Sequence, residues 1–286
     1  MTIKMFSMFS GIGGFELAAK SIDKDIELIG YSEIDKYAIE VFNRHFPGVK
    51  NYGDAARIDT RELPDGFDLL VGGFPCQAFS ISGRRRGFDD TRGTLFFDIA
   101  RVLKDKRPRH LVLENVKGLL SHDNTKTFQT ILSILSDLGY RVEWQVLNSK
   151  NYGVPQNRER IFIVGHLGRS GGQKILPLER TMSEIGSNKL RQTGVIGKDS
   201  EATRVYDIKG LSRTIKYGGG MGAKTGLYTD HKGIRRLTPT ECERLQGFPD
   251  WWTQGLSDAQ RYKTLGNAVT VNVVAEVLKA LYKETK

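Results

Sequence analysis

Apolar residues in this chain keep two rhythms, and the rhythm changes part-way along it. Over the first 166 positions, short apolar runs alternate with stretches of helical spacing. The runs at 3–9, 26–31, 49–52, 67–71, 111–113, 141–147 and 160–165 predict strands, set off by glycine, proline or charged residues. The stretches at 15–21, 35–46, 94–104 and 125–138 predict helices, the second opening on Asp35, whose carboxylate suits a helix N-terminus. Strand and helix in alternation predict an α/β fold, a parallel or mixed sheet with helices on both faces. Across 167–235 glycines, serines and basic residues dominate, and Tyr217-Gly218-Gly219-Gly220 breaks any long element, so a small loop-rich second domain is expected. Helical spacing returns at 265–282, where Val269, Val273, Val274, Val277, Leu278 and Leu281 form an apolar stripe. A stripe of that kind needs a packing partner. If the partner is the first sheet, the large domain is discontinuous, 1–166 with 265–286, enclosing a second domain at 167–235 and a connecting segment at 236–264.

Composition narrows the class of partner. The 286 residues carry 43 Lys and Arg against 33 Asp and Glu, a net charge of +10, which favours a polyanion, nucleic acid before membrane. No run approaches the roughly 20 apolar residues that a membrane span requires, and the first residues lack the apolar core of a signal peptide. Two cysteines, Cys76 and Cys242, give no disulfide framework, so a reducing cytoplasm is expected. Five scattered histidines and no Cys-x-x-Cys pair predict no metal.

The chemistry-bearing residues fall at successive strand ends, the edge along which open α/β sheets bind ligands. Phe9-Ser10-Gly11-Ile12-Gly13-Gly14 is a glycine turn leading into the first helix, whose N-terminus favours a negative group. Position 16 is Glu16 rather than glycine, so the turn is not G-x-G-x-x-G and fits a dinucleotide pyrophosphate poorly. Glu33, 19 positions beyond Gly14, ends the second strand, where a carboxylate accepts hydrogen bonds from ribose hydroxyls. Gly53-Asp54 offers an acceptor for an adenine amino group. Any one of these acids is more often a cap or a solvated side chain; together they predict a nucleoside-bearing cofactor. The next strand runs into Gly72-Gly73-Phe74-Pro75-Cys76, a stiff turn carrying a thiol. An isolated cysteine is usually a small buried hydrophobe. Glu114, following the apolar triplet Leu111-Val112-Leu113 at the adjacent strand end, favours a reactive thiol instead.

With Glu114-Asn115-Val116, these blocks resemble the DNA cytosine-C5 methyltransferases. The run Gly73-Phe74-Pro75-Cys76-Gln77-Ala78-Phe79-Ser80-Ile81-Ser82-Gly83 is similar to the bacterial enzymes of the HhaI type. Further matching blocks lie at 90–97, 156–160, 236–242, 246–249 and 266–269, so the resemblance spans nearly the whole chain in the family's order. It implies a Rossmann-like S-adenosylmethionine-dependent methyltransferase sheet with a small loop-rich target-recognition domain. It also implies S-adenosyl-L-methionine as donor, S-adenosyl-L-homocysteine as product and no metal. The substrate would be a cytosine flipped out of a short specific site in double-stranded DNA, the enzyme acting as a monomer. Its setting would be a restriction-modification system with a separate endonuclease, or that of a solitary or phage enzyme.

On matching positions the resemblance makes Cys76 the nucleophile at C6 and puts Glu114 on the N3 and amino edge. Arg160, with Arg158 behind it, would polarise O2, and Asn115 would order the turn. The cofactor would lie against Phe9, Ser10, Gly11, Ile12, Gly13, Gly14, Glu33, Ile34, Asp54, Ala55, Pro75, Leu95 and Asn267. DNA would be met by Gln77, Ser80, Ser82, Arg84, Arg85, Arg86 and Arg92 on a closing loop, by Gln156, and by Glu201, Arg204, Tyr217, Gly218 and Gly219. In Gln156-Asn157-Arg158-Glu159-Arg160 alternate residues share a face if the backbone is extended. One departure concerns recognition: Asp199-Ser200-Glu201 stands where HhaI-type enzymes carry a glutamine that fills the vacated base stack, so a GCGC-like site is only a lean. A Rossmann oxidoreductase would leave Cys76 and Glu114 without a role, whereas a tRNA cytosine-C5 methyltransferase built on the same motifs stays a rival.

Overall fold

The computed structural model describes residues 2–22, 24–75, 95–168, 174–179, 189–216 and 226–283. Its first half builds β1 (Ile3–Met8), α1 (Gly14–Ser21), β2 (Ile26–Ser32), α2 (Lys36–His45), β3 (Leu69–Gly73), α3 (Leu95–Lys106) and β4 (His110–Val116). There follow α4 (Lys126–Asp137), β5 (Tyr140–Asn148), the two-residue β6 (Gln156–Asn157) and β7 (Glu159–Leu167). Six of these strands form one sheet in the order β2-β1-β3-β4-β7-β5. The first four run parallel, and β7 runs antiparallel to both of its neighbours. The expected mixed sheet is therefore present.

Alternation along each strand divides the core into two layers. Met5, Leu69, Val71, Val112, Phe162 and Val164 face a layer with Phe15 and Ala18 of α1 and Val41 and Phe42 of α2. Their neighbours Phe6, Met8, Leu70, Leu111, Leu113, Ile161 and Ile163 face the other layer, with Ile99 and Leu103 of α3 and Ile131 and Leu135 of α4. Asp35 caps α2 as its position predicts, accepting from the backbone N–H groups of Tyr37 and Ala38.

Two expected elements differ. The run at 49–52 makes a single bridge, Tyr31 to Asn51, rather than a strand. Asn51 turns its side chain to the backbone of Glu33 and Gly53, which ends the pairing after one residue. The C-terminal run is two helices, α6 (Asp258–Asn267) and α7 (Val271–Leu281), broken at 268–270. There the Ala268 carbonyl accepts from Arg158 and Gln246 side chains instead of continuing a helix. α7 packs on α1 through its valines, as its stripe predicts.

A second sheet takes β8 (Gln192–Val195), β9 (Arg204–Asp207), β11 (Leu227–Asp230) and β12 (Gly233–Arg235) in the order β12-β11-β9-β8, while β10 (Ser212–Arg213) pairs with β6. Tyr206, Ile215 and Tyr228 from this region join the buried layer of α1 and α7. So do Leu237, Cys242, Leu245, Phe248 and Trp252, so the segment at 236–264 is packed structure with its own helix, α5 (Pro239–Gln246), rather than a bare connection.

Candidate active site

The turn after β1 is shaped by backbone that only glycine adopts readily. Gly11 and Gly13 have φ of 56° and 87°, and Phe9 shares the left-handed region at 55°. A Cβ on Gly13 would lie 2.5 Å from the Phe46 ring, and one on Gly14 2.6 Å from Val269, so those two glycines seat α1 on its neighbours. Gly11 faces open space, leaving its backbone approachable by a ligand. Its N–H donates to Glu33 Oε2 at 2.8 Å, and the N–H groups of Ile34 and Asp35 donate to Oε1 at 2.8 Å each. Glu33 is thus held rigidly at the sheet edge.

Beside it Ile34 is 71% exposed, a large apolar side chain kept in water next to a fixed carboxylate. Asp54 caps the 3-10 turn at Ala55–Arg57, accepting from Ala56 N–H at 3.0 Å, while the buried Ala55 gives its carbonyl to Arg101. Ser10 is buried and donates its backbone N–H to the Ser32 carbonyl, and the Ile12 carbonyl accepts from Trp252 Nε1 at 2.9 Å. Asn267 stands exposed at the end of α6, Pro75 is exposed just past β3, and Leu95 is half-buried at the start of α3. A fixed carboxylate, a second acid and an exposed apolar side chain around an open glycine turn fit the ribose, amino group and flat ring of a nucleoside.

Two strands over, Gly73 of β3 pairs with Glu114 of β4. A Cβ at Gly73 would lie 3.3 Å from Glu114 Oε2, so glycine makes room for that carboxyl. Glu114 is 7% exposed and its Oε1 lies 3.0 Å from Arg160 Nε, an ion pair without the alignment of a hydrogen bond. Burial raises the carboxyl above its ordinary range, and the charges of Arg160 and Arg158 oppose the rise only in part. Asn115 donates from Nδ2 to the Phe74 carbonyl at 2.9 Å and accepts from Val116 N–H, tying β4 to the chain leaving β3. Cys76 and the DNA-contact residues Gln77, Ser80, Ser82, Arg84, Arg85, Arg86 and Arg92 lie outside the described residues, as do Tyr217, Gly218 and Gly219.

Gln156, Arg158 and Arg160 do share a face, but that face points inward. Arg158 is 2% exposed and donates to the carbonyls of Ile215, Gly266 and Ala268; burial pulls its guanidinium down to about 9. Gln156, expected to touch DNA, is fully buried, donating to the Leu245 carbonyl at 2.7 Å and accepting from Ile215 N–H at 3.0 Å. Its amide is spent inside the protein, so the structure corrects that expectation: Gln156 braces the segment before Tyr217. Arg204 forms a two-pronged pair with Asp199, and Glu201 pairs with Arg213 and Lys216.

The sequence reading used Glu16, buried in α1, only to exclude a dinucleotide turn, and gave no role to Gln246, whose amide donates to the carbonyls of Leu265 and Ala268. The burial of Glu16 could have been read from a charge standing between Phe15 and Leu17 in an otherwise apolar turn.

A mixed six-stranded sheet of this kind with helices on both faces, a glycine turn and fixed carboxylate at the β1–β2 edge and a buried acid–arginine pair at β4 and β7, is the S-adenosylmethionine-dependent methyltransferase fold. The family described as C-5 cytosine-specific DNA methylase matches residues 3–204 and 171–283, and the chain belongs to it. The protein is a DNA (cytosine-5-)-methyltransferase. It is 37% identical to the Type II methyltransferase M.HhaI of Haemophilus parahaemolyticus, over 95% of this chain and 92% of that protein. It is 50% identical to the orphan methyltransferase M.SPRI of Bacillus phage SPR, over 98% of this chain and 97% of that protein. Among solved structures, the Entamoeba histolytica methyltransferase EhMeth superposes with a TM-score of 0.75, at 19% identity, over 100% of this chain and 99% of that one, which speaks to the fold alone.

Proposed function

We propose that the protein methylates C5 of a cytosine extruded from a short specific site in duplex DNA, through a transient bond between Cys76 and C6. S-adenosyl-L-methionine, when bound, supplies an electrophilic methyl group. Glu33 and Asp54 would hold its ribose and adenine, Ile34 would cover the ring, and the Gly11 turn would admit it. Cytosine C5 is too weak a nucleophile to take a methyl group directly. A thiolate adding at C6 pushes electron density to C5 and N3. Glu114 would donate a proton toward N3 as that density builds, and a buried carboxyl with raised affinity for its proton suits the task. Arg160 would hold both Glu114 and the O2 side of the base. After methyl transfer the C5 proton would leave to water, the thiolate would be expelled and the N3 proton would return to Glu114, restoring the enzyme.

The observation that carries this reading is the junction of β3 and β4. Gly73 makes room for the Glu114 carboxyl, and Asn115 grips the Phe74 carbonyl, two residues before Cys76. Glu201, in the turn before β9, and Arg204, at the start of β9, would face DNA, with 167–235 as recognition domain on a large domain completed by the C-terminal helix. Solitary, phage and restriction-linked settings are all compatible with its relatives' names.

The test offers tritiated S-adenosyl-L-methionine to duplex DNA and to tRNA, and repeats it with 5-fluorocytosine in the duplex. Label on DNA and an irreversible adduct mapping to Cys76 are expected. Label on tRNA alone would overturn the substrate, and an adduct elsewhere the nucleophile.

A further inference from the structure

One acid at the nucleoside edge has no part in that chemistry. Glu16, in the first turn of α1, is 1% exposed, and neither carboxyl oxygen has a hydrogen-bond partner. It sits directly after the glycine turn whose Gly11 N–H holds Glu33. Three groups face it. Ser7 Oγ on β1, itself without a partner, lies alongside without the geometry of a hydrogen bond. Tyr31 on β2 has its hydroxyl engaged with Asn43 at 2.7 Å, and Glu33, just past β2, contributes a second negative charge. None of the three is cationic. A buried carboxylate without a counter-ion is costly, so the group keeps its proton instead. Burial, aided by the Glu33 charge, raises its carboxyl to about 7.

We propose that Glu16 is a charge-sensing residue of the cofactor site. Protonated in the free protein, it releases its proton to solvent when a ligand bearing a sulfonium cation occupies the glycine turn, and keeps it over the neutral thioether product. The cation supplies the missing counter-charge in a poorly screened interior, and the product does not. Glu16 would thereby favour the charged donor over its spent form, which differ by one methyl group and one charge. The inference rests on the reading of the β1–β2 edge as the S-adenosyl-L-methionine site.

Titration calorimetry of the full chain with S-adenosyl-L-methionine and with S-adenosyl-L-homocysteine tests it, at pH 7 in phosphate and in Tris, where buffer heats report protons released. The unsubstituted protein is expected to release about half a proton more with the donor than Glu16→Gln does, and no more with the product. Glu16→Gln copies the protonated shape, and its preference for donor over product at pH 8 should fall several-fold. Equal proton release by both proteins with the donor would overturn the proposal while leaving the cofactor site intact. Binding of neither ligand would overturn the cofactor reading and the proposal with it. Should the variant not fold, carboxyl carbon resonances of the unsubstituted protein decide: one must titrate near pH 7 and move to lower pH with the donor alone.

Discussion

The two sheets hold their charges in opposite ways. At the large one several charges are buried: Arg158, between β6 and β7, on three backbone carbonyls, Glu114 against Arg160, and, on α5 in the same apolar layer, Glu243 accepting from Arg261 and the backbone N–H groups of Trp251 and Thr253. Around the small one they sit near water: Arg204 of β9 with Asp199, and Glu201 with Lys216, in the segments flanking its strands. A buried ion keeps one arrangement, because each alternative strands a desolvated group. A pair in water exchanges partners at little cost. On the proposed function, rigid charge would suit the end that places a proton and a methyl group, and exchangeable charge the end that would trade internal partners for phosphates.

The contrast breaks first at Arg158. Arg158→Leu leaves the Ile215, Gly266 and Ala268 carbonyls without this donor in a dry interior, and should destabilise the fold by about 3–5 kcal/mol in urea unfolding. Recovery in Arg158→Lys should be partial, since one ammonium cannot span the fork. A loss below about 1 kcal/mol would mean the carbonyls find water, and that the large sheet is no more rigid than the small.

Glu16 gives the next largest effect, with a sign fixed by its raised carboxyl. The folded state binds a proton that the unfolded chain releases near the ordinary value of 4.5. Its contribution is therefore full below pH 4.5 and lost as pH rises through about 7. Between pH 5 and pH 8 Glu16→Gln should gain up to about 3 kcal/mol relative to the unsubstituted protein. Parallel stability–pH curves for the two would show that the carboxyl is hydrated.

How far these features could be read from sequence follows the same division. Strand and helix alternation is a direct image of a two-faced sheet, so nearly every element of the large sheet was legible, Asp35 at its cap included. That the glycine turn, Glu33 and Glu114 would stand along one sheet edge was legible because parallel strand ends converge there in such a fold. Gln156 was misread because alternation says which residues share a face but not whether the face looks outward. That is settled by α5 and the 211–216 segment closing over it, contacts far apart in the chain. The break at 268–270 was hidden for a similar reason: the donors that draw off the Ala268 carbonyl come from positions 158 and 246.

A smaller effect is expected at the rigid end's ligand edge. Glu33→Gln replaces one acceptor oxygen with an amide nitrogen, so the three backbone N–H groups of Gly11, Ile34 and Asp35 cannot all be satisfied. Affinity for S-adenosyl-L-methionine should fall about 10- to 100-fold by calorimetry, in keeping with one or two charge-assisted hydrogen bonds. Unchanged affinity would place the nucleoside elsewhere.

The smallest effect should appear in the small sheet, where it sharpens the comparison most. Asp199 holds Arg204 through two hydrogen bonds, at 2.7 Å and 3.0 Å, at the protein surface. Asp199→Asn should leave the unfolding midpoint within error, because an exposed pair contributes little. The same change frees a guanidinium for phosphate, so duplex binding at low salt should tighten several-fold and the slope of log affinity against log salt should steepen by up to about one charge. Asp199→Asn combined with Arg204→Gln should return both to the unsubstituted values or below. If Asp199→Asn instead lowered the unfolding midpoint and left the salt slope unchanged, the pair would be a structural brace, and the small sheet would hold its charges as the large one does.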